Sequence, residues 1–480
     1  MTRVSSTDHD NQLHVVMFPF FAFGHISPFI QLSNKLSSHG VQITFFTIPG
    51  YVSRIKTLLT PKSTTQIIPL QIPTIQGLTD TTAGTSDLPT SKHGNLMKAL
   101  DLMQPQIKTL LSELKPNFVF FDFAQYWMPS LASELGIKTF FFSVFSAISG
   151  AYITVPARLT GTEGSNVTVT DLKNPPPGFP PSSTVRLRTF EGRDFLFMFR
   201  SSDGGPRGID RNIVGFRGCT AVIKKTCHEM EGPYLDFMSS QFGKPILLTG
   251  PLVPQPPSGV LDEKWENWLS RFEPKSVVFC SFGSETFLND DQIRELALGL
   301  ELTGLPFFLV LNFPANVDAG AELARALPEG FTERMKERGV VHSGWVQQQL
   351  ILAHKSVGCY LCHSGFSSVI EALVNDCQLA LLPFKGDQFL NAKLLVDDMK
   401  AGVEVNRRDE DGYFGKLDVY EAVKKVMVEV EEEPGKSIRV NHEKWRGFLL
   451  DRTVQDKFIS DIVVEMRGMA KKDCQDSSTA

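Results

Sequence analysis

Short apolar runs alternate along this chain with longer amphipathic stretches. Leu13 to Phe18 is a run of strand length, Ile30, Leu32 and Leu36 make a helical stripe that stops at Gly40, and Val41 to Ile48 is apolar again. The opening therefore reads as strand, helix, strand. Leu96, Leu100, Met103, Ile107, Leu111 and Leu114 then recur at helical spacing as one long amphipathic segment ended by Pro116, and Phe118 to Phe121 and Thr139 to Phe145 are strand-like. A second alternating series has strands at Ser276 to Ser281, Phe307 to Leu311, Val357 to Cys362 and Gln378 to Leu382. Strands in such an alternation pair in parallel, helices cover both faces, and ligands gather beyond the carboxyl ends of the strands. The pattern predicts an α/β protein of two similar doubly wound lobes facing each other across a cleft.

A chain of 480 residues exceeds what one hydrophobic core usually serves. Asn174 to Pro181 and Pro251 to Pro257 are rich in Pro and Gly, and the second stretch, ending near Ser258 and Gly259, reads as an interdomain linker. This divides the chain into a first lobe at 1–250, a linker at 251–262 and a second lobe at 263–480. Lys471 to Ala480 is small and polar and is expected to fray. Charge narrows the function classes: the formal net charge is -5 with no long Lys/Arg block, so a nucleic-acid partner has no electrostatic footprint. Met1 to Asn11 carries no apolar signal core, and no apolar run reaches membrane-spanning length. Seven Cys, an odd number without scaffold spacing, suit reduced thiols. A cytoplasmic protein is expected.

The second lobe carries a spaced set: Trp345-Val346-Gln347-Gln348, His363-Ser364-Gly365-Phe366-Ser367-Ser368, Glu371, and Gly386-Asp387-Gln388. A strand ending near Cys362, a tight Ser364-Gly365 turn and a helix opening at about Ser367 would aim backbone N–H groups at whatever sits above, and a diphosphate suits that place. His363 and Ser368 could donate to phosphate oxygens, with Ser284 as a further hydroxyl, stabilising charge on a departing diphosphate. Blander readings stand beside these. Ser368 and Glu371 also make a helix capping box, Trp345 alone is more often a core residue, and Asp387-Gln388 alone is an ordinary polar loop. Cys359 and Cys362 have CxxC spacing inside a predicted buried strand and read as core thiols, and Asp409-Glu410-Asp411 reads as a solvated loop.

From Trp345 to Asn391, with echoes at Gly24-His25 and Ser281-Phe282-Gly283-Ser284, the chain resembles the plant UDP-glycosyltransferases. The resemblance implies a GT-B fold of two Rossmann-like lobes and an inverting transfer from a UDP-sugar, a co-substrate, to a small-molecule acceptor, with no metal and no cofactor. By resemblance Trp345 stacks on the uracil, the Val346 backbone reads its edge, Gln348 and Glu371 hold the ribose, and Asp387 and Gln388 hold sugar hydroxyls. Ser364, Phe366 and Ser367 stand where the commoner signature has Cys, Trp and Asn, beside the phosphates or the sugar. Gln388 is the residue associated with glucose donors, making UDP-glucose the leading donor, whereas Phe366 and Ser367 look more like the branch that extends an existing glycoside. Ser146 matches a position that contacts the sugar in relatives, and a buried strand-end hydroxyl is an equally simple account.

Transfer to a hydroxyl needs a base, and His25 follows the first strand, where Gly24 would let the backbone turn and present the imidazole. The unperturbed histidine pKa of about 6.5 suits that task near neutrality. Asp122, after the Phe118 to Phe121 strand, is the expected partner that fixes the tautomer. Phe-rich segments, Phe20 to Phe23, Phe121 to Trp127, Ser143 to Gly150 and Phe190 to Phe199, are expected to bind a flat apolar acceptor. Those segments also resemble transferases acting on flavonoid, anthocyanin or triterpenoid glycosides. Alternatives are primary glycosylation of an aglycone, a non-catalytic nucleotide-sugar binder, and an oxidoreductase, which lacks a GxGxxG after any predicted strand.

Overall fold

The apolar runs form the strands of two wholly parallel sheets in a computed structural model that describes residues 12–61, 63–75, 78, 84–85, 93–160, 167–201, 204–257, 259–314 and 317–476. The polar amino terminus, Met1 to Asn11, and residues 477–480 lie outside the described residues. The first sheet contains β1 (His14–Phe18), β2 (Gln42–Thr47), β3 (Gln66–Pro69), β4 (Phe118–Phe121), β5 (Lys138–Ser143), β6 (Ala221–Lys224) and β7 (Ile246–Leu248), in the order β3-β2-β1-β4-β5-β6-β7. The second contains β8 (Val277–Ser281), β9 (Phe307–Leu311), β10 (Gly339–Ser343), β11 (Val357–Cys362), β12 (Gln378–Leu381) and β13 (Gly402–Glu404), in the order β10-β9-β8-β11-β12-β13. The central strands are buried on both faces, which is why they read as unbroken apolar runs.

Each sheet reverses its strand order once, between β1 and β4 in the first and between β8 and β11 in the second. Loops leaving two strands on either side of a reversal diverge and open a crevice at their carboxyl ends. Register sets those ends level: Phe18 pairs with Phe121, and Ser281 with Cys362. Residues following these four strands are thus brought together by topology.

The long amphipathic segment before β4 is two helices, His93–Leu102 and Gln104–Leu114, because Pro105 starts a new helix and cannot continue the old one. Of the expected carboxyl-terminal fray, Lys471 to Asp476 is the end of a helix, Arg452–Asp476, and 477–480 lies outside the described residues. The chain divides into two compact units, 1–160 with 197–252 and 453–480, and 161–196 with 253–452. The division drawn from composition differs at two places: 161–196 packs with the second sheet, and the last helix with the first. Chain order alone gives no sign of either crossing. Among the described residues no helix is long and apolar enough to cross a membrane.

Candidate active site and nucleotide-sugar site

At the first reversal, Asp122 caps the turn after β4 and His25 lies in the first turn of the helix Phe23–Ser38. Gly24 is part of that helix and has open space at its Cβ position, so the turn into His25 does not depend on a glycine. His25 Nδ1 and Asp122 Oδ2 are 2.7 Å apart, and the aspartate is 1% exposed. The same carboxylate accepts from the Phe20 N–H at 3.3 Å and, through Oδ1, from the Phe123 N–H at 2.7 Å. Three donors on one buried carboxylate fix its orientation, and it in turn fixes the ring. An Nδ1–H donating to Asp122 leaves the lone pair on Nε2, the tautomer a general base requires. The rings of Phe20, Phe123 and Phe145 stand 5.5, 5.5 and 5.1 Å from the imidazole centroid and complete its seat.

Ser146 lies in the same unit and is wholly buried, its hydroxyl donating to Ser149 Oγ at 2.9 Å. The buried Lys224 ammonium donates to the Ser146 carbonyl at 3.2 Å and to Ser143 Oγ at 2.9 Å. These contacts are those of a buried hydroxyl in the turn between β5 and the helical turn Ala147–Ser149.

At the second reversal, Gly283 and Ser284 follow β8 and the His363 to Ser368 segment follows β11. His363 is clasped between two glycines: a Cβ on Gly283 would stand 3.0 Å from His363 Nε2, and one on Gly365 2.6 Å. Neither position can carry a side chain without moving the ring. Burial first, and the Lys385 ammonium second, push the His363 pKa down to about 4, so the imidazole is neutral near pH 7. Ser364 has φ of 64° although it is not glycine, and its Oγ, like His363 Nδ1, is buried without a hydrogen-bond partner among the described residues. A left-handed serine and two orphaned polar atoms in one turn are strain held in place by the surrounding packing.

The helix that follows is Phe366–Val374, opening one residue before the expected Ser367, with Gly365 at its cap and no side-chain cap. The capping-box reading therefore fails, because Ser368 lies inside the helix and not at its cap, which leaves other partners to Glu371. Its two oxygens accept from Gln348 Nε2 at 2.8 Å and Gln349 Nε2 at 3.1 Å, while Tyr360 Oη donates to Gln348 Oε1 at 3.0 Å. Ser367 and Ser368 are partly exposed at the helix opening and Ser284 is exposed, whereas the Phe366 side chain is 4% exposed. Phe366 can therefore offer a ligand little beyond its backbone. Trp345, just past β10, is 77% exposed, and Val346 beside it is buried. An indole standing in solvent is not a core residue, so the blander reading of Trp345 is set aside. Asp387 opens the helix Asp387–Lys393 and accepts from Asn391 Nδ2 at 2.9 Å. Gln388 Oε1 accepts from the Phe384 and Lys385 N–H groups at 3.0 and 3.2 Å.

The family model described as UDP-glucoronosyl and UDP-glucosyl transferase matches residues 258–433. A Petunia hybrida protein named anthocyanidin-3-O-glucoside rhamnosyltransferase is 61% identical over 464 residues, covering 96% of this chain and 98% of its own. The chain belongs to the UDP-glycosyltransferase family. An Actinidia chinensis member named cyanidin 3-O-galactoside 2''-O-xylosyltransferase is 43% identical over 93% of this glycosyltransferase and 96% of its own length. Among solved structures, Glycyrrhiza uralensis UGT73P12 complexed with glycyrrhetinic acid 3-O-monoglucuronide has a TM-score of 0.81 at 21% identity, covering 98% of each chain. Arabidopsis thaliana UGT89C1 complexed with UDP-L-rhamnose has a TM-score of 0.72 at 22% identity, covering 95% of this glycosyltransferase and 99% of its own chain. The fold is GT-B, two Rossmann-like units, and the protein is a UDP-sugar-dependent transferase.

Several residues of this glycosyltransferase were not legible as site residues. Lys385 donates to the Glu285 carbonyl, next to Ser284, at 2.8 Å. Asn391 Nδ2 also donates to the Ser364 carbonyl at 3.0 Å, tying the Asp387 helix to the strained turn. Phe190 and Phe195, expected in the acceptor wall of the first lobe, belong to the second unit, where both pack on Phe389 at 5.6 and 6.3 Å. The acidic run is an exposed turn, as the solvated-loop reading has it, with surface contacts to the Thr189–Phe195 helix: Asp409 accepts from the Thr189 N–H at 3.1 Å and Glu410 pairs with Arg193 at 2.6 Å. Cys359 and Cys362 are buried thiols in β11, as the core reading has it.

Proposed function

We propose that this chain extends a flavonoid glycoside, most specifically an anthocyanidin 3-O-glucoside, by moving one sugar from a UDP-sugar onto a hydroxyl of the sugar already attached. The His25–Asp122 contact of 2.7 Å carries the mechanistic half of this reading. His25 Nε2 takes the proton of the acceptor hydroxyl as its oxygen attacks the anomeric carbon, the bond from that carbon to the diphosphate oxygen breaks, and UDP leaves with the electron pair. Asp122 stabilises the imidazolium that forms, and the single displacement inverts the anomeric centre. On the donor side Trp345 stacks on the uracil and the Val346 backbone reads its edge. Gln348 and Glu371 hold the ribose. Ser284, His363, Ser367, Ser368 and the Phe366 N–H face the diphosphate, while Asp387 and Gln388 face the sugar. A neutral His363 acts there as a hydrogen-bond donor and not as a cation.

Identity falls from 61% through 43% to 39% as the sugar in the relatives' names passes from rhamnose through xylose to glucose, which supports rhamnose as the donor sugar. UDP-glucose is the second reading, on Gln388. The cytoplasm is the proposed location, supported by the buried thiols Cys219, Cys227, Cys280 and Cys377 alongside the β11 pair. The test is a mass-spectrometric screen of purified protein with UDP-rhamnose, UDP-xylose and UDP-glucose against anthocyanidins, flavonols and their 3-O-monoglucosides. Products on monoglucosides alone support chain extension and name the donor. Products on aglycones alone overturn it, and no product with any pair favours a non-catalytic binder.

A further inference from the structure

The loop proposed to read the donor sugar is held by a helix that lies far away in sequence. Gly386 has φ of 55° and ψ of -135°, a backbone conformation open to glycine and closed to nearly every other residue, and it directly precedes Asp387 and Gln388. Its N–H donates to Asp194 Oδ2 at 2.6 Å, although the two residues are 192 positions apart. Burial raises the Asp194 pKa, and the Gly386 N–H and the Lys385 ammonium act in the opposite direction.

Asp194 sits on the helix Thr189–Phe195, and that helix is fixed to the second unit along its whole length. Phe190 and Phe195 pack edge-on against Phe389, one residue beyond Gln388. Glu191, wholly buried, pairs with Lys393 at the end of the Asp387–Lys393 helix at 3.1 Å. Arg188 pairs with Glu404 at 2.7 Å, and the Phe190 N–H donates to the Asp409 carbonyl at 3.1 Å. Aromatic packing and ion pairs thus bracket the sugar-reading residues on both sides, and the Asp194 carboxylate reaches the glycine itself.

We infer that Asp194 is a positioning residue for donor-sugar recognition: by accepting from the Gly386 N–H it fixes the angle at which Asp387 and Gln388 meet the sugar hydroxyls. The inference rests on the proposed roles of Asp387 and Gln388. Hydrogen bonds to sugar hydroxyls discriminate between donors only when the groups are held to a fraction of an ångström, and a shift of about 1 Å costs on the order of 100-fold. Removing Asp194 leaves a partly buried N–H without its acceptor and frees the one peptide whose conformation sets the loop. The uracil and ribose contacts at Trp345, Gln348 and Glu371 belong to other elements and keep their geometry.

The experiment compares wild type, Asp194→Ala and Asp194→Asn as full-length protein. Calorimetry with UDP, kcat/KM with UDP-rhamnose, UDP-xylose and UDP-glucose, and hydrogen exchange of the peptide spanning Gly386 to Asn391 are measured on each. Asp194→Ala is expected to keep UDP affinity within about twofold. Its ratio of kcat/KM between the best and next donor should fall by about 10- to 100-fold, with faster exchange in the peptide. Asp194→Asn keeps an oxygen that accepts the same N–H, so it restores both the ratio and the protection. An unchanged donor ratio in Asp194→Ala, or a loss of UDP affinity as large as the loss with UDP-sugars, overturns the inference. Should Asp194→Ala not fold, Asp194→Ser, whose hydroxyl is too short to span the same gap, takes its place with the same readings. If the wild type neither binds UDP nor transfers any sugar, the functional reading fails. The exchange comparison then decides the anchor on its own: unchanged protection in the variant removes it.

Discussion

Replacing Asp122 with Asn tests the base directly. The carboxylate has two oxygens and receives three donors: Oδ1 takes the Phe123 N–H at 2.7 Å, and Oδ2 takes the Phe20 N–H at 3.3 Å together with His25 Nδ1 at 2.7 Å. An amide has one acceptor. With its oxygen kept on the shorter backbone bond, its NH2 faces His25, which can answer only by presenting an Nδ1 lone pair, and the ring proton moves to Nε2. A ring protonated at Nε2 cannot take the acceptor proton. General-base assistance contributes typically about 10²- to 10⁴-fold, so kcat at saturating donor and acceptor is expected to fall by that factor, about 3 to 5 kcal/mol in the barrier. The NH2 facing the Phe20 N–H adds a stability cost of about 1 to 3 kcal/mol. UDP affinity, whose proposed contacts lie in the second unit, is expected to stay within about twofold. Coupled detection of released UDP gives kcat, calorimetry with UDP gives the affinity, and thermal unfolding registers the stability cost. A folded Asp122→Asn variant that binds UDP normally and loses less than about tenfold in kcat would refute the assignment of His25 and Asp122 as a working pair.

Other expectations follow from the same geometry. Trp345→Ala removes a side chain that is 77% exposed, so stability changes by no more than about 0.5 kcal/mol. UDP binding weakens by about 1 to 3 kcal/mol through lost stacking, read by calorimetry; unaltered affinity removes Trp345 from the site. Glu371→Ala deprives both Gln348 and Gln349 of their acceptor. It should raise the UDP dissociation constant about 10- to 100-fold with little effect on kcat at saturation. His363 carries a pH signature, because its folded pKa of about 4 lies below the ordinary 6.5. As pH falls from 6.5 towards 4 the unfolded chain takes a proton that the folded chain refuses, so stability is lost across that window and the loss levels off below it. Comparing wild type with His363→Gln in urea at pH 7 and pH 4 isolates this group: the wild type should lose up to about 3 kcal/mol more than the variant. Parallel pH profiles would show that the ring titrates normally.

What the amino-acid pattern reveals depends on how local the cause is. The apolar runs of β1, β4, β8, β9, β11 and β12 are legible because a strand buried on both faces needs apolar residues throughout. Strands β3, β7 and β10 are only partly buried, and β13 is three residues long, so none leaves a run long enough to read. β6 is hidden for another reason: Ala221–Lys224 ends in a lysine that is wholly buried, its ammonium bonded to Ser143, Phe145 and Ser146. His25 and Asp122 are legible because each closely follows a strand. Glu371 at a capping-box spacing is a local signal that a tertiary partner overrides, since Gln348 lies 23 residues earlier. Asp194 gives no local signal at all, and the same is true of the two segments that pack with a unit other than the one their place in the chain suggests.

Topology explains why two residues 97 positions apart, and two glycines far apart in sequence, each form one local structure. In the first sheet the chain lays β1, β2 and β3 in one direction and then returns to place β4 against the other side of β1. Only that return puts Asp122 beside His25. The second sheet repeats the manoeuvre with β8 and β11, and Gly283 and Gly365 then close on one imidazole. Had β4 been added beyond β3, its carboxyl end would lie two strand spacings further off, about 10 Å, and no side chain of aspartate length could reach the ring. The reversal in strand order is therefore as much a requirement of the His25–Asp122 contact as the residue types themselves. A substitution that preserves His25 and Asp122 but loosens the register of Phe18 against Phe121 should cost activity before it costs the fold.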